Sequence, residues 1–542
     1  MNSYSRGADL PLLELTISDV LARNASTFAE RDALIVCHQQ ARLNWQQLDR
    51  EATRVAAGLA ALGLAPGDRV GIWATNCLEW VLLQFGSARA GVVLVNVNPA
   101  YRSHELGFVL QRSRIRALFL HACDTRTDYR AILAECAPPE HVVWLGEPSW
   151  DAMLAAGDPA WTAPPVSATE VVNIEYTSGT TGSPKGVLLT HRNIVNNGLM
   201  IAHALHASER DRICSPVPMY HCFGCVIGSM VSLVTGAAMI LPSRQFDPRA
   251  ALEAIEQERA TVIYGVPTMF IAELEHPEFD RFDLTSLRTG IMAGATCPIE
   301  VMRRVCDRMH CSEMTIGYGQ TEASPIITMS RADDSLETRV STIGAAMPNT
   351  EVKIIDPVTC EIVPLDQTGE LCTRGYLVMQ GYDEEPEATA RSVDCEGWLR
   401  TGDLASMRAD GNVIFRGRAK DIIIRGGENI YPREIEDFLH THPKIADVYV
   451  FGLPDRRLGE IPMAWVQLNH DCEASEEEIR EFCRGRIAYF KVPQHVRFVD
   501  SFPMTVTRKV QKFVMRRQEV QERGLTELEP GAAGEPLSPP ES

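Results

Sequence analysis

The chain has 542 residues, 45% of them hydrophobic and 23% charged; this composition excludes a wholly disordered or fibrous protein and allows roughly three or four folding units. Lys and Arg number 52 against 71 Asp and Glu, a formal net charge of −19, which argues against nucleic acid as a partner because that needs a basic field. Any anionic ligand must be held by a local cluster of positive charge and backbone N–H groups.

Taken in chain order, the N-terminus has no basic stretch leading into an apolar run. Asp9, Glu14 and Asp19 interrupt any Arg-rich leader, so no secretory or transit peptide is expected. The fifteen cysteines, scattered from Cys37 to Cys483, do not resemble a disulfide framework and point to a reducing, cytoplasmic setting. Leu48, Ala52, Val55, Leu59 and Leu62 form one stripe of a helix. A strand over 68–75, a helix over 77–89 and a strand over 92–97 then read as a βαβ unit.

Residues 214–243 carry no Asp, Glu, Lys or Arg, and Gly224 and Gly228 form a GxxxG. That length could span a bilayer. However, Pro216, Pro218 and His221 precede the apolar part and Thr235-Gly236 interrupts it. A buried helix over 223–234 followed by a core strand over 237–241 is expected, and no transmembrane segment. Cys222 and Cys225 form a CxxC with no second ligand pair at a zinc-like spacing, so they read as buried thiols. A helix over 250–259 before a strand over 262–266 repeats the α/β grammar, with substantial parallel sheet.

From Glu351 the pattern changes to short strands over 352–355, 369–373 and 411–415. Beyond Arg418 a distinct block holds a helix from Pro432, strands near 445–451 and 462–468, and a helix opened by Ser475. Glu478, three residues on, makes that start a capping box. The boundary is expected at 417–421. From Gln521 the chain is rich in Glu, Pro and Gly and reads as a disordered tail. The expected organisation is thus a large unit over 1–417, a small one over 418–520 and a tail over 521–542.

The strongest local signal is Tyr176-Thr-Ser-Gly-Thr-Thr-Gly-Ser-Pro-Lys-Gly186, which follows an apolar-rich strand over 171–176. Glycines let the backbone approach an anion, hydroxyls and N–H groups supply donors, and Lys185 adds charge. The Gly-Lys-Ser/Thr of a Walker A loop is absent, since Pro184 precedes the lysine. An ordinary Gly/Ser/Thr loop is the plain alternative; phosphate binding is favoured.

This loop resembles the signature of the acyl-adenylate-forming superfamily, which includes acyl-CoA synthetases, luciferases and peptide-synthetase adenylation domains. The resemblance continues in the family's order through Tyr318-Gly-Gln-Thr-Glu322, Leu399-Arg-Thr-Gly-Asp403, Gly417-Arg-Ala-Lys-Asp421, Gly426-Gly-Glu-Asn-Ile-Tyr-Pro432 and Arg508-Lys-Val-Gln-Lys512. It covers the chain except the tail. It implies an α/β fold: a large N-terminal domain of parallel and mixed sheets packed by helices with a β-rich subdomain, and a small mobile C-terminal α+β domain.

The implied reaction joins a carboxylic acid to CoA through an acyl-AMP intermediate, with ATP, Mg²⁺ and CoA as cosubstrates and cofactor. Small molecules are the implied partners, and a homodimer is compatible with this picture. The resemblance assigns catalysis to Lys509, Thr321, Glu322 and His221, with Glu322 also the Mg²⁺ ligand. It assigns nucleotide and CoA binding to Thr177, Ser178, Gly179, Thr180, Thr181, Gly182, Lys185, Gly294, Ala295, Tyr318, Gly319, Gln320, Asp403 and Arg418, with Lys420 at the hinge and Gly426 and Gly427 lining the pantetheine tunnel.

Chemically, an anionic carboxylate must reach an anionic α-phosphate, so positive charge and donors should converge there. One departure stands out: Arg508 occupies the family's usual glycine position before the catalytic lysine. Arg508, Lys509, Lys512, Arg516 and Arg517 form a basic stretch, part of which is expected to attract the CoA phosphates, with Lys512 and Arg516 the residues whose substitution tests this. The overall style, including Asn98-Pro-Ala-Tyr-Arg102, is most similar to medium-chain fatty acyl-CoA ligases. An aryl or short-chain acid as substrate, transfer to a carrier-protein thiol, a nucleotide-binding protein without catalysis and a membrane protein spanning 223–242 remain as alternatives at this point.

Overall fold

The computed structural model describes residues 2–124, 127–177, 184–295, 297–425, 428–504 and 510–525, the side chains of Lys420 and Asn429 excepted. Two large sheets form the body. In one, Val93–Asn96, Arg69–Trp73, Ala117–Leu120 and His141–Trp144 run parallel beside Val171–Thr177, with Lys185–Thr190 and Gly381–Tyr382 added antiparallel at one edge. In the other, Asp32–Val36, Ala238–Leu241, Arg212–Cys214, Val262–Gly265, Thr289–Ala293 and Glu313–Gly319 are parallel neighbours.

The helices between them follow their sequence pattern. Trp45–Ala61 starts at Asn44, whose side chain accepts from the Gln47 N–H while Gln47 reaches back, a reciprocal cap. Its stripe of Leu48, Ala52, Val55 and Leu59 is buried. Leu78–Ala90 lacks a polar face: almost every side chain from Trp80 on is buried, as a helix enclosed on all sides must be. It packs on Trp45–Ala61 and on the strand Val93–Asn96.

The apolar stretch behaves as expected for core. Phe223–Gly228 is a π-helical turn that continues into Ser229–Thr235, followed by the strand Ala238–Leu241. Among the described residues no helix is long and apolar enough to cross a membrane.

An antiparallel sheet of Tyr4–Arg6, Thr350–Ile355, Gly369–Gly375, Leu399–Met407 and Val413–Arg418 supplies the β-rich part. The strand expected over 411–415 begins two residues later, because residues 408–411 turn back on themselves and Gly411 takes φ +83°. A separate sheet begins at Ile423–Arg425. It pairs the long strands Ile445–Asp455 and Gly459–Leu468, with His495–Phe498 parallel to the latter.

Ser475 caps its helix by accepting from the Glu478 N–H at 3.2 Å. The expected reciprocal bond is not made: the Glu478 carboxylate takes the Lys444 ammonium at 2.7 Å instead. The last helix, Lys512–Glu522, runs past the expected start of the tail, and Leu525 packs on the core beneath it. Residues 526–542, the remainder of that tail, lie outside the described residues.

Candidate active site

The strand Val171–Thr177 ends opposite the start of Lys185–Thr190, with Thr177 paired to Lys185. This register brings the two ends of the glycine-rich segment together. Ser178, Gly179, Thr180, Thr181 and Gly182 lie outside the described residues. Lys185 Nζ sits 4.9 Å from the ring centre of Tyr382, a cation–π contact. The Tyr382 hydroxyl donates to Glu322 Oε1 at 2.9 Å, and burial together with that carboxylate pushes the phenol upward.

Sequence reasoning missed Tyr382. A single aromatic in Gly381-Tyr-Asp carries no local signal, and the residue reaches the site only because Gly381–Tyr382 adds to the sheet edge. Arg69 secures that addition with a two-pronged bond to Asp383 at 2.8 and 2.9 Å.

Tyr318-Gly-Gln-Thr-Glu322 leaves the carboxyl end of Glu313–Gly319 and closes into a short 3₁₀ turn, Thr321–Ala323. A Cβ on Gly319 would lie 1.8 Å from the Pro325 carbonyl oxygen, so only glycine fits there. The Gln320 N–H donates to that same oxygen at 3.0 Å. Gly294 and Ala295 are exposed at the end of the adjacent parallel strand, and Gly294 takes φ +82°. The carboxyl edge of a parallel sheet is the usual place for a ligand.

The β-rich sheet closes the other side. The Tyr318 hydroxyl donates to Asp403 Oδ2 at 2.7 Å, and Arg418 Nε stands 3.5 Å from Asp403 Oδ1. Asp403 and Arg418 are cross-strand partners. Asp403 is 8% exposed, whereas the guanidinium is half-exposed. Burial, then Asp403, pushes the Tyr318 phenol well up, so it remains a donor.

His221 is half-buried at the entry of the π-helical turn. Its Nδ1 accepts from the Phe223 N–H at 3.1 Å and lies 3.5 Å from Cys222 Sγ. An accepting Nδ1 leaves the proton of the neutral ring on Nε2. Cys222 Sγ is in turn 3.7 Å from Thr321 Oγ1. The two CxxC cysteines are not joined in a disulfide, and among the described residues no group of three His, Cys, Asp or Glu could hold a metal.

Three sets of contacts therefore meet at the Thr321–Glu322 turn. Tyr318, Asp403 and Arg418 approach from one side, Tyr382 and Lys185 from a second, and Cys222 and His221 from a third. The arrangement gathers a buried carboxylate, two cations and a histidine N–H around one turn. Lys509, Arg508, Gly426 and Gly427 lie outside the described residues, as does the Lys420 side chain, although its backbone forms the turn Ala419–Asp421.

Lys512 and Arg516, from the basic stretch expected to attract CoA, each contact a carboxylate of the small sheet's own unit. Lys512 Nζ bonds Glu436 Oε1 at 2.6 Å, and Arg516 bonds the Gly452 carbonyl at 3.0 Å and stands 3.6 Å from Glu460. Their charges are neutralised within the small sheet's own packing.

The model of the AMP-binding enzyme family matches residues 21–383, and that of the AMP-binding enzyme C-terminal domain matches 434–509. The chain belongs to the AMP-binding enzyme family. It is 44% identical over 539 residues to a Bacillus subtilis (strain 168) protein provisionally named acyl-CoA synthetase YngI, covering 94% of this chain and 98% of that one. It is 40% identical over 550 residues to the mitochondrial medium-chain acyl-CoA ligase ACSF2 of Rattus norvegicus, covering 95% and 89%. Among solved structures it resembles ATP-bound MatB from Rhodopseudomonas palustris, with a TM-score of 0.83, 29% identity and coverage of 93% and 99%. It is an AMP-forming acid–CoA ligase that uses ATP, Mg²⁺ and CoA.

Proposed function

We propose that this ligase activates a medium-chain fatty acid. The observation that carries the chain length is the 40% identity to a medium-chain acyl-CoA ligase across 95% of this chain. The apolar residues beside His221 are in keeping with it: Phe223 and Tyr264 pack with ring centres 6.1 Å apart, in one cluster with Ile227, Met269 and Ala293.

In this proposal a carboxylate oxygen of the acid attacks the α-phosphorus of ATP, the bond to the β-phosphate bridge breaks, and pyrophosphate leaves. The CoA sulfur then attacks the acyl carbonyl, its proton passes to solvent, and AMP departs. Asp403 accepts from the ribose hydroxyls, held in place by Tyr318 and flanked by Arg418. Thr321, Lys185 and the 178–182 segment donate to phosphate oxygens. The Nε2–H of His221 faces the acid, and Lys509 supplies the charge that lets two anions meet. The bound adenine lies against Gly294 and Ala295.

Glu322 is a hard oxygen donor, oriented by Tyr382, and one carboxylate with substrate phosphates is the usual protein share of a Mg²⁺ site. The ion's contribution there is to neutralise phosphate charge.

We further place the large domain at 1–417 and the small one at 418–520. Lys420 is then the hinge about which the small domain exchanges Lys509 for the Gly426–Gly427 turn between the two half-reactions. The cytoplasm is the proposed compartment, in keeping with fifteen cysteines that form no disulfide framework.

The test is pyrophosphate release with ATP, Mg²⁺ and acids from acetate to palmitate plus benzoate, with and without CoA. CoA-dependent turnover that peaks between hexanoate and decanoate is expected. A maximum at acetate, palmitate or benzoate would overturn the chain-length assignment.

A further inference from the structure

Behind the site lies a buried polar cluster that the reaction above does not use. Glu175 shares a face of its strand with Asn173 and Thr177, since side chains alternate, and it sits two residues before the end of that strand. It is 3% exposed. Its Oε1 accepts from the Cys225 thiol at 3.1 Å. Asn96 Nδ2 donates to the same sulfur at 3.3 Å, Asn173 Nδ2 donates to Asn96 Oδ1 at 3.1 Å, and Gln84 Nε2 donates to the Cys225 carbonyl at 2.7 Å.

A carboxyl is a costly group to bury without a cation. Burial pushes this one up to about 7, with Glu322 adding to the rise and the Cys225 thiol and Cys222 backbone N–H opposing it. The group that bonds it, Cys225, belongs to the π-helical turn that directly follows His221 and Cys222. Cys222 Sγ reaches on to His221 Nδ1 at 3.5 Å and to Thr321 Oγ1 at 3.7 Å. The π-helical turn supplies the geometry: such turns re-aim neighbouring residues and concentrate at functional positions.

We propose that Glu175 is a positioning residue for the acid substrate, tying the π-helical segment Phe223–Gly228 to the strand Val171–Thr177 so that His221 and Cys222 are held against Thr321. The inference rests on the reading that His221 faces the acid. It adds a buried link between the element that presents phosphate donors and the element that receives the carboxylate. The link acts through the Cys225 thiol, and Glu175 itself touches no substrate.

The test compares Glu175→Ala, Glu175→Gln, Cys225→Ala and His221→Ala in the pyrophosphate-release assay, with KM for octanoate, KM for ATP and Tm measured on each. Glu175→Ala is expected to raise the KM for octanoate about tenfold while that for ATP stays within about twofold. Glu175→Gln keeps an acceptor of the same shape and is expected to restore near wild-type values.

Should Glu175→Ala fail to fold, Cys225→Ala reads the same link and is expected to raise the octanoate KM about threefold. An unchanged octanoate KM in both variants would overturn the proposal, as would an equal rise for octanoate and ATP or a fall in Tm alone. If His221→Ala leaves the octanoate KM unchanged, the site reading fails and the proposal falls with it. If His221→Ala raises it and Glu175→Ala does not, the proposal alone fails.

Discussion

The body pairs Asp211, Glu370, Asp383 and Asp403 with arginines but leaves two other buried carboxyls without one, whereas the C-terminal block pairs both of its buried carboxylates. In the body Glu175 and Glu273 are buried with no cation paired to them among the described residues, where both oxygens of Glu273 also lack a hydrogen-bond partner. In the block, Glu436 takes Lys512 at 2.6 Å. Glu519 takes Arg497 at 2.7 Å, Arg523 at 2.6 Å and the Trp465 indole N–H at 2.8 Å. The body encloses several large apolar clusters, whereas the block's core is two small ones. A large core can absorb an unpaired neutral carboxyl. A small one, with less apolar area to bury, relies on charge pairs to fix its last helix.

The sharpest test of that division is chemical. If the block contributes one indispensable charge to a site otherwise built by the body, Lys509→Ala should lower the rate of pyrophosphate release about a hundred- to a thousandfold. ATP affinity by equilibrium titration should change little. A variant retaining a tenth of the rate would place the decisive charge in the body.

Next in size, Glu519→Ala leaves the Trp465 N–H without its acceptor and removes one of the two carboxylates that Arg497 bonds, Glu522 remaining at 2.7 Å. Leaving a buried donor unsatisfied should cost about 1–3 kcal/mol, read as an earlier unfolding transition of the block in urea. A transition unmoved relative to wild type would mean that these pairs do not hold the helix.

The smallest effect concerns the unpaired carboxyl of the body. Burial raises Glu273 to about 8, above its ordinary value of about 4.5. The folded state therefore holds its proton where the unfolded chain has lost it, and stability falls as pH rises from about 4.5 to about 8, then levels. Glu273→Met removes that slope, so the gain in Tm over wild type should be larger near pH 8.5 than near pH 5, by about a few degrees. An equal shift at both pH values would show that Glu273 does not titrate across this range.

Part of the site was legible in the sequence for a clear reason. Gly319 and the Tyr318-Gly-Gln-Thr-Glu322 run form one local turn, and a glycine demanded by a 1.8 Å approach leaves a mark that spacing alone displays. Tyr382 and Glu175 left none. One is an aromatic in an acidic loop, and the other is a carboxylate in an apolar strand whose partner thiol is fifty residues on. The pairing of Lys512 and Arg516 with Glu436 and Glu460 left no mark either, because a basic run looks the same whether it faces solvent or is paired.

By itself the sequence determined the alternation of strands and helices, the absence of a membrane-length helix among the described residues, and the ordered motifs that identify the chemistry. These depend on periodicity, turn residues and local spacing, all properties of neighbours in the chain. Only the tertiary structure decided that Asp403 meets Tyr318, that Tyr382 orients Glu322, and that Cys222 bridges His221 to Thr321. Each of those contacts joins residues sixty to a hundred positions apart, and sheet register, which no local pattern encodes, is what sets them side by side.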